Sequence, residues 1–382
     1  MSYLEYNTKR MPAGLAKVLY LNWPLVALLI AVGCYGFLML YSIAGGNLRP
    51  WADPQMKRFG LGLAIMFLVG FVPLWFWRSI AGLAYVISVL LLLGVEFFGT
   101  IGMGAKRWLE LGPLRLQPSE LAKITTIMAL AAYYDWLDLK KVSNPIWVAV
   151  AAIIALLPAL LVLRQPDLGT ALLVALGGGV VIFAAGVHWA YFGAIIGSAV
   201  GLVTAVMSSR GTDWQLLKDY QFRRIDAFLD PTLDPLGAGY HINQSMIALG
   251  SGGWSGRGFM EGTQARLNFL PEKHTDFIFT TLAEEFGFVG ASSLLLLYML
   301  VIGVCLLTAM RTTNRFGALL VMGVIGTFFL YFAVNMAMVM GLAPVVGVPL
   351  PLVSYGGSAM IVIMVGFGLV QSTHIHRARL PS

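Results

Sequence analysis

The hydrophobic positions of this chain form a series of long apolar runs separated by short polar joints. Runs long enough to cross about 30 Å of hydrocarbon cover Trp23–Ala44, Phe59–Trp77, Ile80–Phe98, Ser119–Trp136 and Ile146–Leu163. Further runs cover Gly169–Val187, Trp189–Met207, Phe277–Met310, Phe316–Leu342 and Gly356–Gln371. Together they predict about ten transmembrane helices. Ser119–Trp136 is the most polar of them, with Glu120 and Lys123 near its start. Phe277–Met310 is longer than one crossing needs, so it should tilt or extend beyond the bilayer. One interval breaks the pattern. From Asp219 to Phe288 the chain concentrates Arg, Asp, Glu, His, Gln and Gly, and it ends by carrying Asp276 into an apolar run. The expected fold is an all-α polytopic membrane protein with one long extracytoplasmic loop (about 208–275). No internal repeat or low-complexity linker is seen, so 1–382 reads as a single membrane domain.

Composition strengthens this picture. Of 382 residues, 58% are hydrophobic and 11% charged, against about 25% charged in soluble domains. The polar, basic first residues lead into a run long enough to span, so no cleavable signal peptide is expected. Cys34 and Cys305 both lie in apolar runs, which excludes a disulfide framework. The net charge of +7 comes from scattered Lys and Arg at membrane edges rather than from one basic face, and no nucleic-acid partner is expected. Counting inward from a cytoplasmic N-terminus, the inner segments hold Lys9, Arg10, Lys17, Arg78, Lys140, Lys141, Arg311, Arg315, Arg377 and Arg379. Both termini are therefore expected inside, and Ser208–Thr275 outside. The outer loops still carry Arg49, Lys57, Arg58, Lys106, Arg107, Arg115 and Arg164. Such charge suits an anionic ligand such as a lipid-linked phosphate.

Four stretches can hold chemistry, each with a structural alternative. In FLPEKHTDFIF (Phe269–Phe279), Thr275 reads as an N-cap with Asp276 in the first turn of a long helix, a placement that the helix dipole alone would favour. Glu272 and His274 crowd the same boundary, which raises the case for function. A helix N-terminus makes a carboxylate a weaker base, so burial or an acidic neighbour would have to act against it if Asp276 removes a proton. In GAKRWLELGPLRLQPSELAK (Gly104–Lys123), Ser119 reads as a cap, and Glu120 and Lys123 stand three apart on one helix face. They form either a structural ion pair or a cavity lining, with Lys106, Arg107 and Arg115 as phosphate contacts. RQPDLGT (Arg164–Thr170) reads as a turn with Asp167 capping the next helix, of interest if it faces Glu120 or Lys123. Between Asn335 and Met360, Pro344, Pro349 and Pro351 break the helix ahead of Ser354-Tyr355-Gly356-Gly357-Ser358. Broken helices of this kind line substrate sites or form structural re-entrant turns. GSGGWSGRG (Gly250–Gly258) lacks the P-loop pattern and reads as a turn-rich outer loop. The five histidines show no metal-ligand spacing, and neither G-x-S-x-G nor H-E-x-x-H occurs.

GAKRWLELGPLRLQPSELAK, RQPDLGTA, DPLGAGYHINQSMIALGSGG, LNFLPEKHTDFIFTTLAEEFG and GVPLPLVSYGGS, in this order across nearly the whole chain, resemble the SEDS family (shape, elongation, division, sporulation). The wording of LNFLPEKHTDFIF and the AEEFG that follows resemble its elongation-associated branch more than its division branch. The resemblance implies a ten-helix peptidoglycan glycosyltransferase of the bacterial cytoplasmic (inner) membrane that polymerises lipid II at its outer face. It implies a class B penicillin-binding protein as partner, crosslinking the new strands, alongside lipid II, lipid-linked nascent glycan and membrane lipids. The family's essential acid falls on Asp276, and Glu120, Lys123 and Asp167 match other sensitive positions. Gln244 and Ser245 in YHINQSMIALG, His274, and Ser354 in VSYGGS complete the expected substrate contacts. Arg257 stands where a Lys is common, which keeps the charge.

The expected reaction is an inverting glycosyl transfer with Asp276 as general base. Positive charge on the departing diphosphate would come from Lys106, Arg107, Arg115, Arg223, Arg224 or Lys273, or from a divalent cation, Mg or Mn. The rival reading is a lipid II flippase or transporter, which suits ten helices with broken segments and intramembrane charge. A scaffold that only positions a crosslinking partner is a third.

Overall fold

The computed structural model describes residues 14–102, 105–111, 114–212, 214–216, Phe222, Asp226, 238–267 and 272–377. Ten helices of 17 residues or more occur among them. They are α1 (Trp23–Ile43), α2 (Ala52–Phe71), α3 (Leu74–Phe98), α4 (Pro118–Trp136), α5 (Pro145–Arg164), α6 (Leu168–Ala184), α7 (Trp189–Ser208), α10 (Ile278–Met310), α11 (Arg315–Val339) and α12 (Gly357–Ile375). The shorter α8 (Ala238–Ser251) and α9 (Thr263–Arg266) lie between α7 and α10. Each expected apolar run corresponds to one of the ten.

Seven of these helices are long and apolar enough to cross a membrane: α1, α3, α5, α7, α10, α11 and α12. The other three depart for visible reasons. At 17 residues and 1.5 Å per residue, α6 is a little short. Asp53, Lys57 and Arg58 sit in the first turns of α2, and Glu120, Lys123 and Asp135 in α4. The membrane body is all-α as expected, but one end adds a three-stranded antiparallel sheet, β1 (Thr100–Gly102), β2 (Ala105–Leu111) and β3 (Leu114–Leu116). Lys106 pairs with Ile101 across it and Arg115 with Glu110.

Local chemistry sets several helix starts. The side chains of Asn22, Asn144, Asp167 and Asn314 accept hydrogen bonds from the first turns of α1, α5, α6 and α11, satisfying amides with no intrahelical partner. Ser119, expected as a cap, is instead the second residue of α4; Pro118 opens the helix and Gln117 takes the cap position without a side-chain bond. Proline fits there because the first helical amide has no acceptor anyway.

The core is uneven. α11 is largely buried, with Phe316, Leu320, Val321 and Val339 fully enclosed, whereas no residue of α7 is buried. An apolar helix with none of its residues buried by protein is stable only against lipid, so the chain is a multi-pass membrane protein.

α10 is broken at Gly287, whose backbone (φ 63°, ψ −159°) is not helical. The break leaves the Glu284 and Glu285 carbonyls and the Phe288 and Val289 amides without helical partners. Residues 253–258 take all four: Arg257 N and Gly258 N donate to Glu284 O and Glu285 O (3.0 and 3.1 Å), and Phe288 N and Val289 N donate to Gly253 O and Trp254 O (2.9 and 3.2 Å). The approach is so close that a Cβ on Gly256 would lie 2.1 Å from Glu285 O. Gly252 and Gly256 of GSGGWSGRG are thus explained by backbone docking onto a helix break.

Candidate active site

Residues 272–277 turn tightly into α10. The amides of Thr275 and Phe277 donate to Glu272 O (3.2 and 3.3 Å), and the Thr275 hydroxyl donates to the Glu272 carboxylate at 2.8 Å. Thr275 therefore does not cap α10. The helix begins at Ile278 with Phe277 in the cap position, and Asp276 lies just outside it. The cause is tertiary. In a helix the carbonyls of residues 274–276 would bond amides four residues on. Here Tyr355 N takes His274 O (2.9 Å), Ser354 Oγ takes Thr275 O (2.5 Å) and Asn335 Nδ2 takes Asp276 O (2.8 Å).

Those partners are themselves fixed. Ser354 Oγ accepts from Leu350 N (2.8 Å), Gln55 Nε2 donates to Ser354 O (2.8 Å), and Asn335 Nδ2 also reaches Val348 O (2.7 Å). The proline-broken segment 340–356 is thus a clamp on the turn that carries Asp276. It also holds α6, where a Cβ on Gly169 would lie 2.5 Å from Val346 O.

The Asp276 side chain is partly buried, and its Oδ2 faces Gly347, where a Cβ would lie 3.8 Å away. Gly347 has φ +69°, a conformation glycine adopts without strain. Among the described residues the carboxylate makes no hydrogen bond or ion pair. Burial, and secondarily the charge of Glu272, push its pKa up to about 6. The two opposing influences identified from sequence are thus unequal: Asp276 lies outside the helix, and burial dominates. His274 stacks on Trp51 (centroids 4.9 Å apart, planes at 17°). Burial lowers its pKa, with Glu272 opposing and Lys273 assisting. Burial also lowers that of the Lys273 ammonium.

The other expected residues divide by position. Glu120 and Lys123 are buried and form one cluster with Tyr331: Lys123 Nζ lies 2.6 Å from Glu120 Oε1, it hydrogen-bonds the Tyr331 hydroxyl, and that hydroxyl donates to Glu120 Oε2 at 3.3 Å. Asp167 caps α6 through Thr170 N (3.1 Å) and faces Arg107 (3.8 Å) rather than Glu120 or Lys123. Arg107 also donates to the carbonyls of Gln165 and Pro166 (3.3 and 2.5 Å), tying β2 to the α5–α6 joint. Lys106 is exposed on β2. Arg115 lies in β3, but its side chain is outside the described ones, and Arg223 and Arg224 are outside the described residues. Ser245 Oγ donates to Val339 O (2.7 Å), fixing α8 against the end of α11, with Gln244 half-buried beside it.

Sequence reasoning missed several contributors and counted another, Arg58, only among the outer basic residues. Asn335 and Gln55, both fully buried, hold the clamp. Arg58 lies over the Tyr355 ring (5.0 Å), with Nη1 buried and unpartnered among the described residues. Beside the Asp276 turn is a cleft of about 530 Å³, lined by Ser42, Met260, Arg266, Lys273 and Glu285 among others. Two adjacent acids, Glu284-Glu285, near the start of an apolar span were the available signal, since intramembrane carboxylates need a partner or a use. Among the described residues no three His, Cys, Asp or Glu side chains converge to hold a metal ion.

With this geometry in hand, comparison with known proteins is specific. The family model FTSW_RODA_SPOVE, cell cycle protein, matches residues 22–379. Peptidoglycan glycosyltransferase MrdB of Escherichia coli (strain K12) is 44% identical over 363 residues, covering 94% of this chain and 95% of that one. Among solved structures, a chain from a peptidoglycan synthase complex that coordinates polymerization and crosslinking superposes with a TM-score of 0.80 at 34% identity, covering 93% of this chain and 97% of that one. Thermus thermophilus rod shape determining protein RodA superposes with a TM-score of 0.69 at 31% identity, covering 94% and 98%.

Proposed function

The chain belongs to the FTSW_RODA_SPOVE family of cell cycle proteins, and we infer from that membership and from the surroundings of Asp276 how it works as a peptidoglycan glycosyltransferase in cell elongation. The substrate is lipid II, added to a lipid-linked nascent glycan. The end of the bundle carrying the sheet, the 272–277 turn and the 340–356 clamp faces the outside of the bacterial cytoplasmic membrane. The opposite end carries Lys17, Arg78, Lys140, Lys141, Arg311 and Arg315, which the positive-inside rule assigns to the cytoplasm together with both termini. The prenyl tails stay in lipid, in grooves between helices.

One observation carries the mechanism: a partly buried carboxylate, unpaired among the described residues, with its pKa raised to about 6. At pH 7 about nine-tenths of it is ionised, yet it is a stronger base than an ordinary aspartate. The sugar 4-hydroxyl of the acceptor gives its proton to Asp276 as its oxygen forms a bond to the donor's anomeric carbon. The bond from that carbon to the diphosphate breaks, and the electron pair leaves with the lipid diphosphate, inverting the centre. Arg58, which stacks on Tyr355 beside His274, supplies charge for the departing group, and Lys106 adds to the positive field. A Mg²⁺ or Mn²⁺ would be held through the substrate's own phosphates with few protein ligands. A class B penicillin-binding protein takes the strands for crosslinking, in keeping with the synthase complex that the fold matches.

Purified wild type and Asp276→Asn, given lipid II in detergent, test the assignment. The variant should make glycan at least about 100-fold more slowly. Wild-type rates in the variant would remove Asp276 as base.

A further inference from the structure

The cleft beside the active-site turn is built from the end of α1, the loop before α9 and the start of α10. At about 530 Å³ it falls in the size range of small-molecule sites. Its floor is chemically specific. Glu285 is 3% exposed; its Oε1 accepts from the Ser42 hydroxyl at 2.5 Å. Its Oε2 is buried and has no hydrogen-bond partner of good geometry among the described residues, although the Met260 amide lies near the carboxylate. A buried carboxylate oxygen left this way is costly unless a donor arrives. Lys273, 9% exposed, and the exposed Arg266 line the same space. Met260 on the wall has φ +64°, a strained conformation for a residue with a side chain, of the kind that clusters at ligand sites. The neighbouring Glu284 does not share this state: it caps α9 through Thr263 N and Gln264 N (2.8 and 3.1 Å).

We propose that this cleft is a second saccharide subsite, in which a sugar hydroxyl or amide N–H donates to Glu285 and an acidic group on the same substrate meets Arg266 and Lys273. The inference rests on the glycosyltransferase reading and deepens it. Lys273 precedes Asp276 by three residues, so one substrate can touch both the cleft and the reacting centre.

The test compares Glu285→Gln and Arg266→Ala with wild type, using lipid II for turnover. Binding is read on Asp276→Asn with a soluble disaccharide-pentapeptide that lacks lipid and diphosphate. Each change should raise KM about tenfold, the scale of one hydrogen bond to a charged group, with kcat within about twofold. Glu285→Gln should weaken binding of the soluble fragment by a similar factor. Lipid II with every peptide carboxylate converted to its amide identifies the acidic group. If the Arg266→Ala effect vanishes on that substrate, the acid is a peptide carboxylate; if it persists, it is the diphosphate. An unchanged KM and unchanged fragment binding in both variants overturns the subsite, and Arg266, being exposed, can be replaced without endangering the fold. Fragment binding that depends on Glu285 in a protein whose wild type makes no polymer would keep the subsite and discard the catalytic reading.

Discussion

Asp276 and Glu120 lie at the same end of the bundle, each close to the start of a helix and each shielded from water, but on different terms. Glu120 has both oxygens engaged, by Lys123 and by Tyr331, inside a cluster closed on all sides. Asp276 has its backbone carbonyl fixed by Asn335 while its carboxylate stays open toward Gly347. The first arrangement pairs opposite charges within the protein. The second holds the residue still by its main chain and leaves the side chain available. Charge near a membrane edge is therefore a poor guide to reactivity; whether the polar atoms are already paired is the better one. The buried pair, which from sequence alone suited a transporter, is satisfied within the protein.

The contrast is open to direct attack. Asp276→Asn should lower polymerisation by about 10²–10⁴-fold, with thermal stability unchanged or slightly raised, because the substitution removes a charge that burial disfavours. Loss of folding in this variant would contradict the contrast. Lys123→Met should act the other way, costing about 3–5 kcal/mol by stranding Glu120 without its cation. The double variant Glu120→Gln/Lys123→Met should recover part of that loss, as thermal melts in detergent would record. Asp276 also sets a pH response. As Asp276 has its pKa raised to about 6, its base form is lost as pH falls through that value, so kcat/KM should drop about tenfold per unit below pH 6. The folded protein binds this proton more readily than the unfolded chain, so from this group alone stability should rise, not fall, between pH 6 and about 4. Ser354→Ala, which frees Thr275 O and Leu350 N, should cost about 1–3 kcal/mol and lower kcat more than it raises KM. Arg107→Ala should be the mildest, within about 1 kcal/mol for its partly exposed pair with Asp167.

Much of this could be read from the residues. Apolar runs of 16 residues and more located every long helix among the described residues because lipid permits few alternatives for an unbroken hydrophobic segment. The acid at the loop exit, the Glu120–Lys123 pairing and the Asp167 cap followed from spacing and local preference. What escaped was set by distant parts of the chain. Thr275 has good capping chemistry, yet Ser354, Tyr355 and Asn335, some 60–80 residues on, take the carbonyls that would have begun the helix earlier. The small sheet escaped because its strands, three to seven residues long, sit in a stretch whose charges drew attention first. Ser42 and Glu285 are 243 positions apart, and nothing local joins them.

The break at Gly287 has a mechanical side. Four main-chain bonds staple residues 253–258 to the interrupted stretch of α10, so a pull on that loop cannot be absorbed by the loop alone. Because two of those bonds lie before the glycine and two after it, the loop acts as a splint across the break: the two parts of the helix cannot swing about Gly287 without tearing it away.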